Sequence, residues 1–139
     1  MGAPIKILLV EDEEFDIITF MQVLQGIDIE TDVRVARTGQ EAVVKLNDKT
    51  WVPNLVLLDQ VLPDMSGNDI ARLIRVNKIN TRIVRLTGHP EKRKSKEDIC
   101  LVKPCSPAML ELVLRTTDTL HRVTKLSIAF TGSTAVGII

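Results

Sequence analysis

The sequence predicts an α/β fold in which a doubly wound parallel sheet of five strands is covered by helices on both faces. Short apolar runs of strand length alternate along the chain with segments whose apolar residues recur at helical spacing. The third apolar run, Leu55 to Leu58, is uninterrupted, which is typical of a central strand that is covered on both sides. This alternation implies parallel strands that are joined by right-handed crossovers.

The first part of the chain supplies three predicted strands and two predicted helices. The strands cover residues 5–10, 33–36 and 55–58. The first helix is expected to end at Gly26, because glycine is common at helix C-termini, and to bury Phe15, Ile18, Met21 and Leu24. The second helix runs from Gly39 to Leu46, and its predicted buried residues are Ala42, Val43 and Leu46.

The rest of the chain supplies two more strands and two more helices. A turn-rich segment, residues 62–67, leads into a helix whose apolar residues are Ile70, Leu73 and Ile74. Strands follow at 83–86 and 100–102. Ser106 as the N-cap and Pro107 as the first helical residue begin a last helix that presents Leu110, Val113, Leu114, Thr117 and Leu120. We expect one domain over residues 1–124 and a C-terminal tail, packed or disordered, over 125–139.

The composition fits one ordinary domain and excludes several classes of protein. The 139 residues are 45% hydrophobic and 26% charged, and 18 Lys+Arg balance 18 Asp+Glu, so no basic surplus is available for nucleic acid. Two cysteines are too few for a disulfide scaffold. No stretch approaches the roughly 18 uncharged apolar residues of a membrane span. We therefore expect a cytoplasmic protein without a nucleic-acid or membrane partner.

Polar residues follow four of the predicted strands at the points where the strands end. Glu11 and Asp12 follow the first strand, Asp59 ends the third, Thr87 follows the fourth and Lys103 follows the fifth. Ligands of such sheets bind at the carboxyl ends of the strands, where we expect these side chains to meet. Two carboxylates about 4 Å apart repel by roughly 4 kcal/mol at an effective dielectric of about 20, so they stay ionised together only if a cation sits among them. Oxygen ligands suit Mg²⁺, and a carboxylate beside Mg²⁺ and a lysine can accept a phosphoryl group.

This ordered set of residues resembles the receiver domain of two-component response regulators, over about residues 5–123. The motif residues that carry the resemblance also include Pro63, Gly67 and Pro104. The resemblance implies a flavodoxin-like sheet with strand order 2-1-3-4-5 and makes Asp59 the phosphoacceptor. It also implies that Thr87 binds the phosphoryl oxygen and that Lys103 pairs with Asp59 or its phosphate, with a cis bond before Pro104.

The resemblance further implies a Mg²⁺ site and a signalling role. Asp12 would bind the ion directly with help from Glu11, and Asp59 and the main-chain carbonyl of Val61 would be further ligands. The phosphoryl group would come from a histidine kinase or a phosphotransfer protein, and signalling would follow from a conformational change. The protein would then be a phosphoacceptor and not an enzyme, with self-catalysed phosphoryl transfer and slow autodephosphorylation at most. The downstream target stays unidentified, and a homodimer stays open.

The sequence departs from the family's pattern at three places. Only 15 residues separate Thr87 from Lys103, and residues 91–98 are all polar, so we predict that the family's fourth helix is missing or vestigial. Cys100 stands where the family usually carries an aromatic residue that moves with phosphorylation. Val61 has no polar side chain to position a hydrolytic water, and His89 is a candidate for that role.

Three alternative functions can be weighed on the same residues. A pseudo-receiver, which is this fold used as a phosphorylation-independent protein-binding module, is favoured by the departures and opposed by the intact acidic set. A phosphohydrolase with an aspartate nucleophile would need a second acid at position 61, where the chain has Val61. A nucleotide-binding protein would need a glycine-rich turn after the first strand, where the chain is acidic over residues 11–14.

Overall fold

A computed structural model describes residues 2–88 and 99–131, with side chains up to residue 123. Within these residues, five strands and four helices follow one another along the chain. In order they are β1 (Ile5–Val10), α1 (Glu14–Gln25), β2 (Thr31–Ala36), α2 (Gly39–Asn47), β3 (Leu55–Asp59), α3 (Gly67–Val76), β4 (Arg82–Thr87), β5 (Ile99–Val102) and α4 (Pro107–Thr131). The predicted order of strands and helices is confirmed for these elements.

The five strands form one parallel sheet with the order β2-β1-β3-β4-β5, which confirms the predicted fold class. Every residue of β3 is buried, as its uninterrupted apolar run indicates for the central strand. Val10 at the end of β1 lies beside Ala36 and Leu58, and Asp59 lies beside Leu86. The carboxyl ends of the strands therefore meet at a single edge of the sheet.

Two apolar cores hold the helices against the two faces of the sheet. The first core joins the sheet to α1 and α4, and its largest helical contributors are Phe20, Leu24, Leu110 and Leu114. The second core joins the sheet to α2 and α3, and its bulky members outside the strands are Leu46, Trp51, Leu62, Ile70 and Ile74. Burial of this apolar surface is the main driving force that fixes the sheet between its helices.

Two predicted helix faces are wrong in part. In α1, Phe15 is 78% exposed and Ile18 is 47% exposed, whereas the buried residues are Ile17, Phe20 and Leu24. Both sets have helical spacing, so apolar periodicity could not choose between them. In α4, Leu120 is exposed, although the other four residues of the predicted face are buried.

The last helix is longer than expected. Its N-terminus agrees with the prediction, because the Met109 amide donates to the Ser106 hydroxyl at 3.4 Å. The helix was expected to end before Lys125 and instead continues to Thr131, since no proline or glycine interrupts that stretch. The division into a domain and a tail remains a prediction. No helix in the described ranges is long and apolar enough to span a membrane.

Two predictions fall on residues outside those that the structure describes. They are the missing or vestigial fourth helix around 91–98 and the role of His89.

Candidate functional site

Three carboxylates lie together at the carboxyl edge of the sheet, and we call Glu11, Asp12 and Asp59 the acidic cluster. One carboxylate oxygen of each lies within 4.8 Å of the other two. Glu11 is held in place where β1 ends, because its amide donates to the Ala36 carbonyl of β2 at 3.0 Å. Glu11 and Asp59 are buried, and Asp12 is half-buried. The structure thus brings Asp59 next to the consecutive residues Glu11 and Asp12, which lie 47 or more positions earlier in the sequence.

Lys103 connects this cluster to the end of β5. Its Nζ atom lies 2.9 Å from Oε1 of Glu11, 3.3 Å from Oδ2 of Asp59 and 3.2 Å from Oδ2 of Asp16. The Lys103 amide donates to the Thr87 carbonyl at 2.8 Å, which fixes the main chain at the start of the turn after β5. An ammonium group has three N–H donors, and here each has a carboxylate acceptor.

Asp16 is a site residue that the sequence analysis did not single out. It lies in the first turn of α1, and its side chain is 34% exposed. The helix begins two residues after Asp12, so its first turn brings Asp16 back toward the strand ends. One signal in the sequence could have identified Asp16. It is an acidic residue in the first turn of a helix, and this helix follows a strand that ends in acidic residues.

The acidic cluster carries more negative charge than one lysine can balance. Burial, together with the nearby Asp59 carboxylate, raises the pKa of Glu11 from its ordinary 4.5 to about 8, although Lys103 opposes this rise. Burial alone would lower the pKa of Lys103, but the hydrogen bond to Glu11 and the charges of Asp59 and Glu11 raise it above its ordinary value. Lys103 is therefore a cation at neutral pH. The carboxyl oxygens of the acidic cluster fit a hard divalent cation such as Mg²⁺, whose charge would favour the ionised form of Glu11.

The loop after β3 packs tightly against Asp59. A Cβ atom on Gly67 would lie only 2.3 Å from the Asp59 carbonyl oxygen, so this close approach requires glycine. The Gly67 amide donates to the Gln60 carbonyl at 3.1 Å, and Ser66 caps α3. The Val61 amide lies 3.5 Å from Oδ1 of Asp59, and the Val61 side chain is 75% exposed.

The same loop is tied to the start of α2 through Asp64. The Gly39 amide donates to Oδ1 of Asp64 at 2.7 Å, and the Gln40 amide donates to Oδ2 at 2.9 Å. These hydrogen bonds, from Gly39 first and then from Gln40, lower the pKa of the Asp64 carboxyl group. Carboxylates are favourable at helix N-termini, where amide groups lack partners within the helix.

The remaining predicted site residues lie at or near the same edge. Thr87 is the last residue of β4, is half-buried and lies beside Val102 of β5. Cys100 is half-buried in β5 beside Arg85. The peptide bond between Lys103 and Pro104 is cis.

Together, the parallel sheet, the acidic cluster and the lysine that contacts it define a receiver-type signalling domain. Residues 7–115 match the response regulator receiver domain family. The chain therefore belongs to this family, whose members are signalling phosphoacceptors of two-component systems and bind Mg²⁺ at an acidic pocket.

Named relatives and solved structures agree with this assignment. The chain is 34% identical over 129 residues to the transcriptional regulatory protein TrcR of Mycobacterium tuberculosis, which covers 87% of this chain and 47% of TrcR. It is 38% identical over 86 residues to the cell cycle transcriptional regulator CtrA of Caulobacter vibrioides, covering 62% of this chain and 36% of CtrA.

Among solved structures, the signal receiver domain of a LuxO repressor protein from Vibrio parahaemolyticus superimposes with a TM-score of 0.73 at 26% identity, covering 89% of this chain and 97% of that one. The chain spans about a fifth to a half of the length of the curated relatives that it matches.

Proposed function

We propose that this chain is the phosphoacceptor domain of a response regulator, in which Asp59 takes a phosphoryl group from a histidine kinase or a phosphotransfer protein in a Mg²⁺-dependent reaction. The observation that carries the proposal is the contact of Lys103 with Asp59 and Glu11 inside the acidic cluster. Such a donor would meet the protein in the cytoplasm. The names of TrcR and CtrA suggest control of transcription as an output of proteins that contain this domain.

The proposed chemistry is a phosphoryl transfer onto a carboxylate. An Asp59 oxygen attacks the phosphorus of a phosphohistidine, an O–P bond forms, and the N–P bond breaks. The imidazole nitrogen of the donor leaves with the electron pair and takes up a proton from solvent. Transfer of this kind depends mainly on positioning and on neutralisation of the phosphoryl oxygens.

The residues of the chain have separate roles in this reaction. Glu11, Asp12, Asp59 and the Val61 carbonyl would hold Mg²⁺, which supplies charge neutralisation to the phosphoryl oxygens when it is bound. Lys103 stays protonated at neutral pH and provides a second positive charge. The Thr87 hydroxyl would bind a phosphoryl oxygen after transfer and so move toward Asp59, which supplies the conformational signal.

The proposal is tested by the intact mass of the protein after incubation with acetyl phosphate, with Mg²⁺ and with a chelator. We expect a Mg²⁺-dependent gain of one phosphoryl group that is lost in Asp59→Asn and kept in Asp28→Asn, a control at an exposed aspartate just beyond the C-terminal end of α1. A gain in the Asp59→Asn variant would show a different acceptor. No gain in the wild-type protein would overturn the proposal.

The second candidate, a phosphorylation-independent binding module, is favoured by one observation. Cys100 occupies the β5 position at which an aromatic switch residue is usual, so the common way of reporting phosphorylation is absent at that position. Failure of phosphorylation in the mass experiment, together with no Mg²⁺ binding in a calorimetric titration, would favour this candidate.

A further inference from the structure

Strand β4 buries an arginine next to the candidate site. Arg85 is 4% exposed, and among residues 2–88 and 99–123 it is the one lysine or arginine that is buried. In the register of the sheet it lies between Leu58 of β3 and Cys100 of β5. Register partners in a parallel sheet point to the same face, and Leu58 belongs to the core under α2 and α3. The guanidinium group of Arg85 therefore lies on the α3 side of the sheet.

This guanidinium group donates a hydrogen bond to the first turn of α3. Nη1 of Arg85 lies 2.7 Å from Oδ1 of Asn68. Because a guanidinium group has only donors, the amide oxygen of Asn68 is the atom that faces it. Asn68 is exposed and is the second residue of α3, directly after Gly67. The contact thus connects the middle of β4 to the residue that follows Gly67.

The loop between β3 and α3 is a closed unit that touches Asp59. Val61 and Ser66 form an antiparallel bridge within it, and the Gly67 amide donates to the Gln60 carbonyl at 3.1 Å. A Cβ atom on Gly67 would lie only 2.3 Å from the Asp59 carbonyl oxygen, so the main chains of these two residues are in close contact. A shift at the start of α3 is therefore passed directly to the main chain of Asp59.

This loop is held from both sides of β3. On the β1 side, the carboxylate of Asp64 accepts hydrogen bonds from the first two amides of α2. On the β4 side, Arg85 donates to Asn68. Since β4 ends at Thr87, the strand that fixes the start of α3 is also the strand that carries the proposed phosphoryl-binding hydroxyl.

Stability alone does not account for an arginine at this position. Burial of a charged group is costly, and replacement of a buried ionic contact by apolar side chains of similar volume is often neutral or stabilising. Ile83, two residues earlier on the same face of β4, packs against the same core as an apolar side chain. A hydrogen bond from an ionised donor differs from such packing, because it is directional and about twice as strong as a neutral one. It can therefore fix the position of α3 along the sheet.

We propose that Arg85 is a positioning residue for the phosphorylation of Asp59. It acts through Asn68 by holding the start of α3, and with it the main chain of Asp59, in place. This inference rests on the proposed function, because the reaction that Arg85 serves is phosphoryl transfer to Asp59.

The test measures the rate of Mg²⁺-dependent phosphorylation by acetyl phosphate from intact mass, and the free energy of unfolding in urea. Arg85→Met and Asn68→Ala each remove the hydrogen bond. Each should slow phosphorylation about tenfold, because a displacement of about 1 Å at a reacting group can cost up to a hundredfold in rate. The double variant should be no slower than either single variant, since both remove the same contact. Asn68→Asp keeps an accepting oxygen and should stay within about threefold of the wild-type rate.

Arg82→Met is the matched control. Arg82 lies on the same strand, but its guanidinium group donates to the Val113 carbonyl and the Thr117 hydroxyl of α4. This variant should lower the free energy of unfolding at least as much as Arg85→Met does and still keep the wild-type rate.

Two sets of results would overturn the positioning role alone. One is a wild-type rate of phosphorylation in Arg85→Met, and the other is a set of rates that simply follow the free energies of unfolding, with Arg82→Met as slow as Arg85→Met. No phosphoryl gain in the wild-type protein would instead overturn the proposed function, and the positioning role with it.

Discussion

Replacement of Gly67 by alanine tests whether the loop after β3 is held rigidly against Asp59. The new Cβ atom would lie 2.3 Å from the Asp59 carbonyl oxygen and 3.2 Å from Cα of Gln60, whereas ordinary contacts begin at 3.4 Å. Main-chain atoms must therefore move by about 1 Å, since no flexible side chain is available to give way. Backbone shifts of this kind cost about 1–3 kcal/mol, and the higher helix propensity of alanine returns less than about 1 kcal/mol.

Two assays should show the effect of this substitution. Urea denaturation should give a free energy of unfolding that is lower by about 1–2 kcal/mol. The initial rate of Mg²⁺-dependent phosphorylation should fall at least about tenfold, because a displacement of about 1 Å at a reacting group can cost up to a hundredfold in rate.

Gly26→Ala is the matched control. Its new Cβ atom would meet the Val23 carbonyl at 3.5 Å, an ordinary contact, and Gly26 has helical backbone angles. Both substitutions reduce the conformational entropy of the unfolded chain by the same amount. The difference between their free energies of unfolding therefore isolates the steric effect of the new Cβ atom at residue 67. If Gly67→Ala is as stable as Gly26→Ala and is phosphorylated at the wild-type rate, the loop is free to move and the reasoning is refuted.

Three further predictions concern the acidic cluster and two residues beside it, Asp16 and Val61. Metal-free protein should lose stability as the pH rises, because the pKa of Glu11 is raised from 4.5 to about 8 in the folded state. The protonated carboxyl group makes its full contribution to the free energy of unfolding below about pH 4.5, and this contribution is lost as the pH rises through 8. Urea titrations of Glu11→Gln at several pH values should lack this loss. Asp16→Asn should slow phosphorylation by no more than about fivefold, since a partly exposed ion pair contributes less than about 1 kcal/mol. A larger loss of rate, or an equal loss in Asp28→Asn, would contradict this prediction. Val61→Asn should shorten the half-life of the phosphoryl group, because an exposed amide there can orient a water molecule; an unchanged half-life in a mass time course would speak against it.

Much of the fold could be predicted because the strands of a central parallel sheet are almost wholly apolar. The limits appear where strands contain polar residues. β2 begins at Thr31, two residues earlier than predicted, because the first five residues of this edge strand alternate between half-buried and exposed and form no continuous apolar run. β4 includes the buried Arg85, whose Nη1 atom donates to Oδ1 of Asn68 at 2.7 Å. Nothing in the sequence around Arg85 indicates that its guanidinium group contacts Asn68 of α3.

The arrangement of the candidate site could be predicted to the extent that it follows from strand ends. Glu11, Asp59 and Lys103 come directly at or after strands, so the sheet order places Glu11 and Asp59 on neighbouring strands, and the long side chain of Lys103 reaches them from the end of β5. Asp16 comes from a helix, and its position depends on the residue at which α1 begins and on its helical phase. The wrong prediction for Phe15 has the same origin, since the phase of α1 is set by packing against the sheet and not by its own periodicity.

The two hydrogen bonds of Asp64 make α2 part of the neighbourhood of Asp59. A displacement of the loop after Asp59 by more than a fraction of an ångström has one of two results. Either the start of α2 moves with the loop, or the first two amides of α2 lose their acceptor, the Asp64 carboxylate. Phosphorylation that moves this loop would thus change the solvent protection of the Gly39 and Gln40 amides. Their hydrogen exchange would report events at Asp59 from the opposite face of the sheet to α1 and α4.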